Sequence, residues 1–347
     1  MILNAQRPGR EYSPCPAQRH RPYINEGKGG VIGYDTHVIG RKQRVRMVGE
    51  GAEVLVRRLQ ADPDWRERLV HVESFPARPP AYEAIDLAPA VLEMLKDRGI
   101  DRLYTHQARA IKSIRAGAPT AVATPTASGK SLIYLIPCFE SRLAGEESHA
   151  LYLSPLKALA QDQRRLVTEL NASLPAGQRL AAELYDGDTP SGKRAKIRSS
   201  PPALVLSNPD MLHASLLAFH HAWRPFFQGL KYVVLDEAHT YRGVFGSHVS
   251  GIMRRLKRVC AHYGSNPKFI VTSATLSNAA EFLLGLTGEE FTVVSESGAP
   301  SPPRFFALVR PEGSVYTESC ELLRRTGHSI LVYLFCTGAF SVLDAGI

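Results

Sequence analysis

The sequence predicts an α/β protein: a parallel β-sheet with helices on both faces, plus a small helical region at its N-terminal side. Three observations carry that expectation. Short apolar, strand-type runs alternate with segments of helical periodicity, the pattern of strands buried on both faces. Those runs end in polar tips, as where ligands bind beyond the carboxyl ends of a parallel sheet. With 347 residues, 44% apolar and 22% charged, the chain has room for two domains or one large one. It can bury a core that needs no disulfide or metal staple.

Taken in order, residues 1–47 are a basic extension. Residues 1–46 hold nine Lys and Arg against three acids, so most of the formal charge of +9 sits there. Their Pro/Gly/Arg-rich, aperiodic texture predicts disorder. Such a tail either binds a polyanion by counterion release or is simply solvated, and Met47 is an alternative start. Residues 48–100 read as a helical region and linker. Val54, Leu55, Leu59 and Trp65 recur at helix spacing between Gly49 and Arg68, Pro76–Pro80 is extended, and Leu87–Arg98 is an amphipathic helix stopped by Gly99. Across 101–296, strands are expected at Ala121–Ala123, Leu151–Leu153, Ala203–Leu206, Tyr232–Leu235 and Phe269–Val271. Helices are expected over Ser131–Arg142, Leu156–Leu170 and Asp210–Trp223. In 297–347, Ser297–Pro303 reads as a hinge, followed by a short helix at Glu318–Arg325 and one strand-like run, Ser329–Phe335.

Several classes are disfavoured. Five scattered cysteines with no C-x-x-C pair argue against a disulfide framework or zinc knuckle and for free thiols in a reducing compartment. The longest apolar run, Ile330–Cys336, is too short to span a bilayer, and the N-terminus has no secretory apolar core. The expectation is a cytoplasmic protein, nucleoid-associated if bacterial, with no membrane partner. His213, His220 and His221 share one predicted helix with no Cys, Asp or Glu at metal-ligand spacing, so they read as surface or partly buried side chains. Arg254, Arg255, Lys257 and Arg258 read as the solvated face of a helix.

The chemistry concentrates at strand tips. Residues 121–131, AVATPTASGKS, place a tight turn between a strand and a helix, where backbone N–H groups can cradle an anion. Thr124 stands where the general phosphate-loop pattern has its first Gly. A Gly-Lys-Ser triplet at a helix start also arises without a ligand, but the flanking strand and helix favour the loop. Thr124, Pro125, Thr126, Ala127, Ser128 and Gly129 then form the turn, Lys130 reaches the β and γ oxygens, and Ser131 supplies a hydroxyl to Mg²⁺. Residues 231–239, KYVVLDEAH, deliver two adjacent carboxylates to the sheet edge: Asp236 to hold Mg²⁺ through its water shell, Glu237 to orient or deprotonate water. Acids capping a helix start are the alternative. His239 can bridge to the next loop.

Upstream, LYTHQARAI puts Gln107 at a helix start, where its amide can both donate to and accept from an adenine edge. Downstream, VTSATL offers Ser273 and Thr275 at another tip, and SPLKALAQDQ, DGDTP and SNPDMLH lie between. Hydroxyls, a Lys and helix starts at strand tips are groups that grip a nucleic-acid backbone.

In this order the motifs resemble those of superfamily 2 DEAD/DEAH-box helicases, over about residues 101–296. DEAHTYRGVFGSHV, TPTASGKS and HVESFPARPPAY resemble, more narrowly, the MrfA/YprA-like DNA helicases and their RecQ-related relatives. The resemblance implies one complete RecA-like lobe and an ATP- and Mg-dependent helicase acting on nucleic acid, DNA in particular, with a role in DNA repair. It assigns Lys130 and Ser131 to phosphate and Mg²⁺, Asp236 to Mg²⁺ and Glu237 to water. His239, Ser273 and Thr275 would couple hydrolysis to strand movement, and Ser154, Lys157, Thr189 and Asn208 would line the bound strand. Ordinary capping by Ser and Asn, or a solvated Lys, is the alternative for that last group.

Helicases of this kind carry a second lobe with an arginine finger. No Q-x-x-R-x-G-R-like segment or terminal cysteine cluster follows residue 297, so the expectation is a truncated or frameshifted product, poorly active alone. A non-catalytic module holding ATP and nucleic acid is the alternative.

Overall fold

The structure, a computed structural model, describes residues 52–274, 276, 278–310, 331–336 and 339–344. Expectations for residues 1–47, for Thr275 and for a helix at Glu318–Arg325 lie outside the described residues. The chain divides into two units. Of the unit formed by the two chain ends, an antiparallel hairpin is described, β10 (Leu331–Cys336) with β11 (Ala339–Asp344). Its first strand matches the expected run, and its second was not expected.

The other unit is Val56–Arg310. Its elements in order are the part from Val56 onward of α1 (Ala52–Ala61), then α2 (Pro63–Arg66), β1 (Leu69–Phe75), α3 (Pro89–Lys96), α4 (Thr105–Arg115), β2 (Thr120–Ala123), α5 (Ser131–Leu143) and β3 (His149–Leu153). Then come α6 (Lys157–Leu170), β4 (Ala182–Leu184), α7 (Ser191–Ser199), β5 (Leu204–Ser207), α8 (Pro209–Met211), α9 (Arg224–Gln228) and β6 (Leu230–Leu235). The last are α10 (Gly243–His262), β7 (Lys268–Ser273), α11 (Ala279–Thr287), β8 (Thr292–Val294) and β9 (Arg304–Val309).

Among the described residues, seven strands form one sheet in the order β4-β5-β3-β6-β7-β2-β8, every pair parallel. Side chains of a strand alternate between faces, so Tyr152, Leu206 and Val234 join one core with Ile133 and Phe139 of α5. Their neighbours Leu151, Val205 and Val233 join the other, with Trp223, Val249 and Met253. Both faces are therefore apolar, which is why the strands read as continuous apolar runs. The two edge strands β4 and β8 were not expected; each has three residues and pairs on one side only.

Two expected helices are broken. The Gly49–Arg68 pattern divides where Asp62 caps α2, accepting from the Asp64 N–H, and Pro63 supplies no amide to continue α1. The Asp210–Trp223 segment is a short turn of α8, a π-turn over Leu212–Leu216 and a 3₁₀ turn at His220–Trp223. Through this winding Leu212, Leu216 and Leu217 all join one core. The compact unit also runs across the expected boundaries at 100 and 296, because β1 pairs antiparallel with β9.

Candidate active site

The phosphate loop leaves β2 at Thr124, which is fully buried. Its hydroxyl and that of Ser128 lie 2.8 Å apart and share a hydrogen bond. That latch explains a Thr where the general pattern has Gly. Ala127 and Gly129 both take left-handed backbone, with φ of 60° and 77°. Left-handed backbone favours glycine at the second, where a Cβ would also fall 2.5 Å from Gln107 Nε2 and push that side chain off its bond to the Gly129 carbonyl. Lys130 Nζ donates to the Thr124 and Pro125 carbonyls, each at 2.9 Å, so the ammonium sits inside the turn. Burial lowers its pKa, while Glu237 and Asp236 push the other way. Ser131 opens α5 directly behind Lys130.

Gln107 is buried in α4. Its Oε1 accepts from the Tyr104 N–H at 2.9 Å, and its Nε2 donates to the Gly129 carbonyl at 2.9 Å. A primary amide has two N–H groups and two lone pairs, so these two bonds use one donor and one acceptor site of the buried Gln107 side chain.

At the tip of β6, Asp236 accepts three hydrogen bonds: from the Tyr152 hydroxyl at 2.5 Å, from the Thr272 hydroxyl, and from the Glu237 N–H at 3.0 Å. Tyr152 comes from β3 and Thr272 from β7, the two strands that flank β6. Glu237 is itself left-handed, with φ of 49°. Its Oε2 is buried and has no hydrogen-bond donor, although His239 Nδ1 lies 3.1 Å away in poor alignment. The His239 amide donates to Ser273 Oγ at 3.2 Å, and its Nδ1 is 3.3 Å from the same hydroxyl. Ser273 therefore joins the tip of β7 to the turn that follows the acidic pair.

The four residues expected along a bound strand sit at the tips of β3, β4 and β5, side by side in the sheet. Most of their polar atoms are spent locally. Ser154 is buried and donates to the Leu156 carbonyl at 2.9 Å. Thr189 is buried and closes its loop by accepting from the Asp186 N–H at 3.0 Å and donating to Asp186 Oδ1 at 2.9 Å. Asn208 caps α8, accepting from the Met211 N–H at 2.8 Å. Lys157 alone of the four offers an exposed charge, and it pairs with Asp188 at 2.6 Å.

Residues not singled out from sequence also build the site. Tyr152 and Thr272 are hydroxyl-bearing residues inside fully buried strands, and such a group has to find a partner; that was the available signal. His106, one residue before Gln107, is fully buried and bonds the Ser128 carbonyl at 2.9 Å. Of the histidines expected as surface or partly buried side chains, His213 bonds Arg255 at 2.7 Å, His220 bonds the Tyr263 hydroxyl at 2.8 Å, and the His221 ring lies against that of His220. Arg254 and Arg258 line an open groove of about 820 Å³ along α10. Among the described residues no His/Cys/Asp/Glu group is arranged to hold a metal by itself, and no helix is long and apolar enough to cross a membrane.

A parallel sheet whose adjacent tips carry a phosphate loop, an acidic pair and a serine bonded to the acidic turn defines a phosphate-loop NTPase of the RecA-like kind. Within that class, the family model described as DEAD/DEAH box helicase matches residues 104–282, and the chain belongs to that family. It is 46% identical over 232 residues to "Uncharacterized ATP-dependent helicase YprA" of Bacillus subtilis, covering 67% of this chain and 30% of that protein. It is 36% identical over 262 residues to "ATP-dependent helicase HRQ1" of Saccharomyces cerevisiae, covering 74% and 24%. The crystal structure of the DUF1998 helicase MrfA bound to DNA and AMPPNP superposes with a TM-score of 0.74 at 38% identity, over 80% of this chain and 39% of that one. The chain thus spans well under half the length of these relatives.

Proposed function

We propose that the chain is the ATP-binding lobe of an ATP-dependent DNA helicase, hydrolysing Mg·ATP in concert with a second lobe. The observation that carries the reading is that the Thr124–Ser131 loop and the Asp236–Glu237 pair leave the tips of β2 and β6, on either side of β7, with the charges of both acids acting on Lys130 and the buried Glu237 Oε2 left without a donor. A buried carboxylate oxygen in that state suits a water. Mg²⁺ fits the remaining groups, with Ser131 and Asp236 as its holders; when bound it neutralises charge on the phosphates. Lys130 exchanges its two carbonyl contacts for phosphate oxygens, and the loop amides orient them. Glu237 takes a proton from the attacking water. His239 and Ser273 pass the state of the acidic turn to β7. MrfA and HRQ1 are named as helicases, and MrfA is seen bound to DNA; their likeness supports DNA as the polymer that runs past Lys157 and the tips of β3, β5 and β4.

The test is a titration of the 347-residue chain with a fluorescent ATP analogue and labelled single-stranded DNA, alongside an ATPase assay with and without a second-lobe polypeptide. Lys130→Ala is expected to remove nucleotide binding. Glu237→Gln is expected to keep binding and lower turnover about 10²–10⁴-fold, the usual contribution of a general base. Unwinding by the chain alone, abolished by Lys130→Ala, overturns the need for a second lobe. Nucleotide binding without turnover when the second lobe is present favours a non-catalytic module.

A further inference from the structure

The segment that leaves the sheet after β8 is bound back onto the start of α4. Gly298 and Ala299 are buried. The Ala81 N–H donates to the Gly298 carbonyl at 2.8 Å, and Arg78 and Ser301 exchange backbone hydrogen bonds at 2.9 and 3.0 Å. Arg109 adds an ion pair to Glu296 at 3.3 Å. At the centre is His106. Its Nδ1 accepts from the Gly298 N–H at 3.2 Å, and its Nε2 lies 2.9 Å from the Ser128 carbonyl in the phosphate loop.

These two bonds fix the tautomer. A backbone N–H only donates, so Nδ1 carries no proton, and a carbonyl only accepts, so Nε2 does. The ring plane is fixed as well: it stacks on Tyr104 at 5.9 Å, and Tyr104 stacks on Tyr82 at 5.4 Å. One imidazole thus joins the chain leaving the lobe to the loop that cradles phosphate, across |i−j| of 192 on one side and 22 on the other. Ser128 is itself latched to Thr124, so the bond reaches both ends of the turn.

We infer that His106 is a positioning residue through which the Gly298 segment sets the geometry of the phosphate loop, so that displacing that segment weakens nucleotide binding. The inference rests on the reading of Thr124–Ser131 as a nucleotide loop. Gly298 offers a way to displace the segment without touching the loop. A Cβ added there would lie 2.5 Å from the Ala81 carbonyl oxygen and closer still to Thr105 Oγ1. The carbonyl and the Thr105 N, 2.8 Å away, are both backbone, so the segment and the start of α4 have to separate, which is expected to stretch or break the bond from the Gly298 N–H to His106.

The two halves of the bridge can be cut separately. A glutamine amide reaches the Nε2 position, so His106→Gln keeps the donor to Ser128 and drops the acceptor for Gly298. Asparagine places an oxygen near the Nδ1 position, so His106→Asn keeps the Gly298 bond and drops the Ser128 one. The experiment titrates mant-ADP with Mg²⁺ into the full chain and into Gly298→Ala, His106→Gln, His106→Asn and the Gly298→Ala/His106→Gln double variant. Circular dichroism and melting are followed in parallel. His106→Asn is expected to weaken mant-ADP about tenfold, as for one buried hydrogen bond. Gly298→Ala should weaken it several-fold in the native background and have no further effect in His106→Gln, a non-additivity that reports coupling. Equal effects of Gly298→Ala in both backgrounds, or none in either, overturn the bridge while leaving the nucleotide site standing. If Gly298→Ala fails to fold, unchanged affinity in His106→Asn overturns it instead. A native chain that binds no mant-ADP overturns both the bridge and the proposed function.

Discussion

Tyr152→Phe removes the hydroxyl that donates to Asp236 Oδ2 at 2.5 Å. Both residues are buried, Tyr152 completely. The deletion leaves one oxygen of a buried carboxylate without its donor. A hydrogen bond to a charged group contributes about 1.5–3 kcal/mol net, against about 0.5–1.5 kcal/mol for a neutral one. The matched control is Tyr134→Phe. Tyr134 is equally buried, its ring touches that of Tyr152 at 5.6 Å, and its hydroxyl donates to the neutral amide oxygen of Gln163 at 2.8 Å. Cavity and transfer costs are similar for the two variants, so their difference reports mainly the charged acceptor, although the Tyr134 hydroxyl also interacts with those of Ser131 and Tyr152. Urea unfolding of both at pH 7 should place Tyr152→Phe about 1–2 kcal/mol below Tyr134→Phe, with unchanged m. Tyr152→Phe should also bind Mg²⁺-nucleotide more weakly, because Asp236 is then held by two donors rather than three. Equal destabilisation by the two variants would refute the claim that a charge-assisted clamp holds Asp236.

Acid should destabilise the lobe before its carboxylates titrate. Burial lowers the pKa of His106 and of His149 from 6.5, so the unfolded chain binds protons that the fold refuses, and stability falls as pH drops below about 6.5; a urea midpoint unchanged from pH 7 to 5.5 would contradict this. Asp188→Asn frees Lys157 from its ion pair and should raise single-stranded DNA affinity about two- to fivefold at low salt, whereas Lys157→Ala should lower it and flatten its salt dependence. Arg254→Ala and Arg258→Ala, on an exposed face of α10, should change unfolding free energy by no more than about 0.5 kcal/mol.

Much of the site was legible because its chemistry is local in sequence. The Thr124–Ser131 loop, the Asp236–Glu237 pair and the Asn208 cap are each contained in a few consecutive residues, and the strands that deliver them are uninterrupted apolar runs. What was not legible was carried by short or mixed segments. Three-residue edge strands such as Ala182–Leu184 bury too little to show a pattern. The Asp210–Trp223 segment has helical composition but winds as a π-turn and a 3₁₀ turn, because packing Leu216 and Trp223 into one core decides the winding. The strand Leu69–Phe75 is mostly exposed, and its partner is Arg304–Val309, far along the chain.

By itself, then, the sequence determined the alternation of strands and helices, the family, and which residues stand at strand tips, since these depend on spacing within a few turns of chain. Tertiary structure alone decided which tips are neighbours. Strand hydrogen bonds are non-local, and the order β6-β7-β2 inserts the last motif strand between the first and the acidic one, placing Ser273 beside His239 and Thr272 against Asp236. The order β4-β5-β3 gathers Thr189, Asn208 and Ser154 on the other half of the sheet edge. His106 meets Gly298 for the same reason: no local pattern encodes a hydrogen bond across |i−j| of 192.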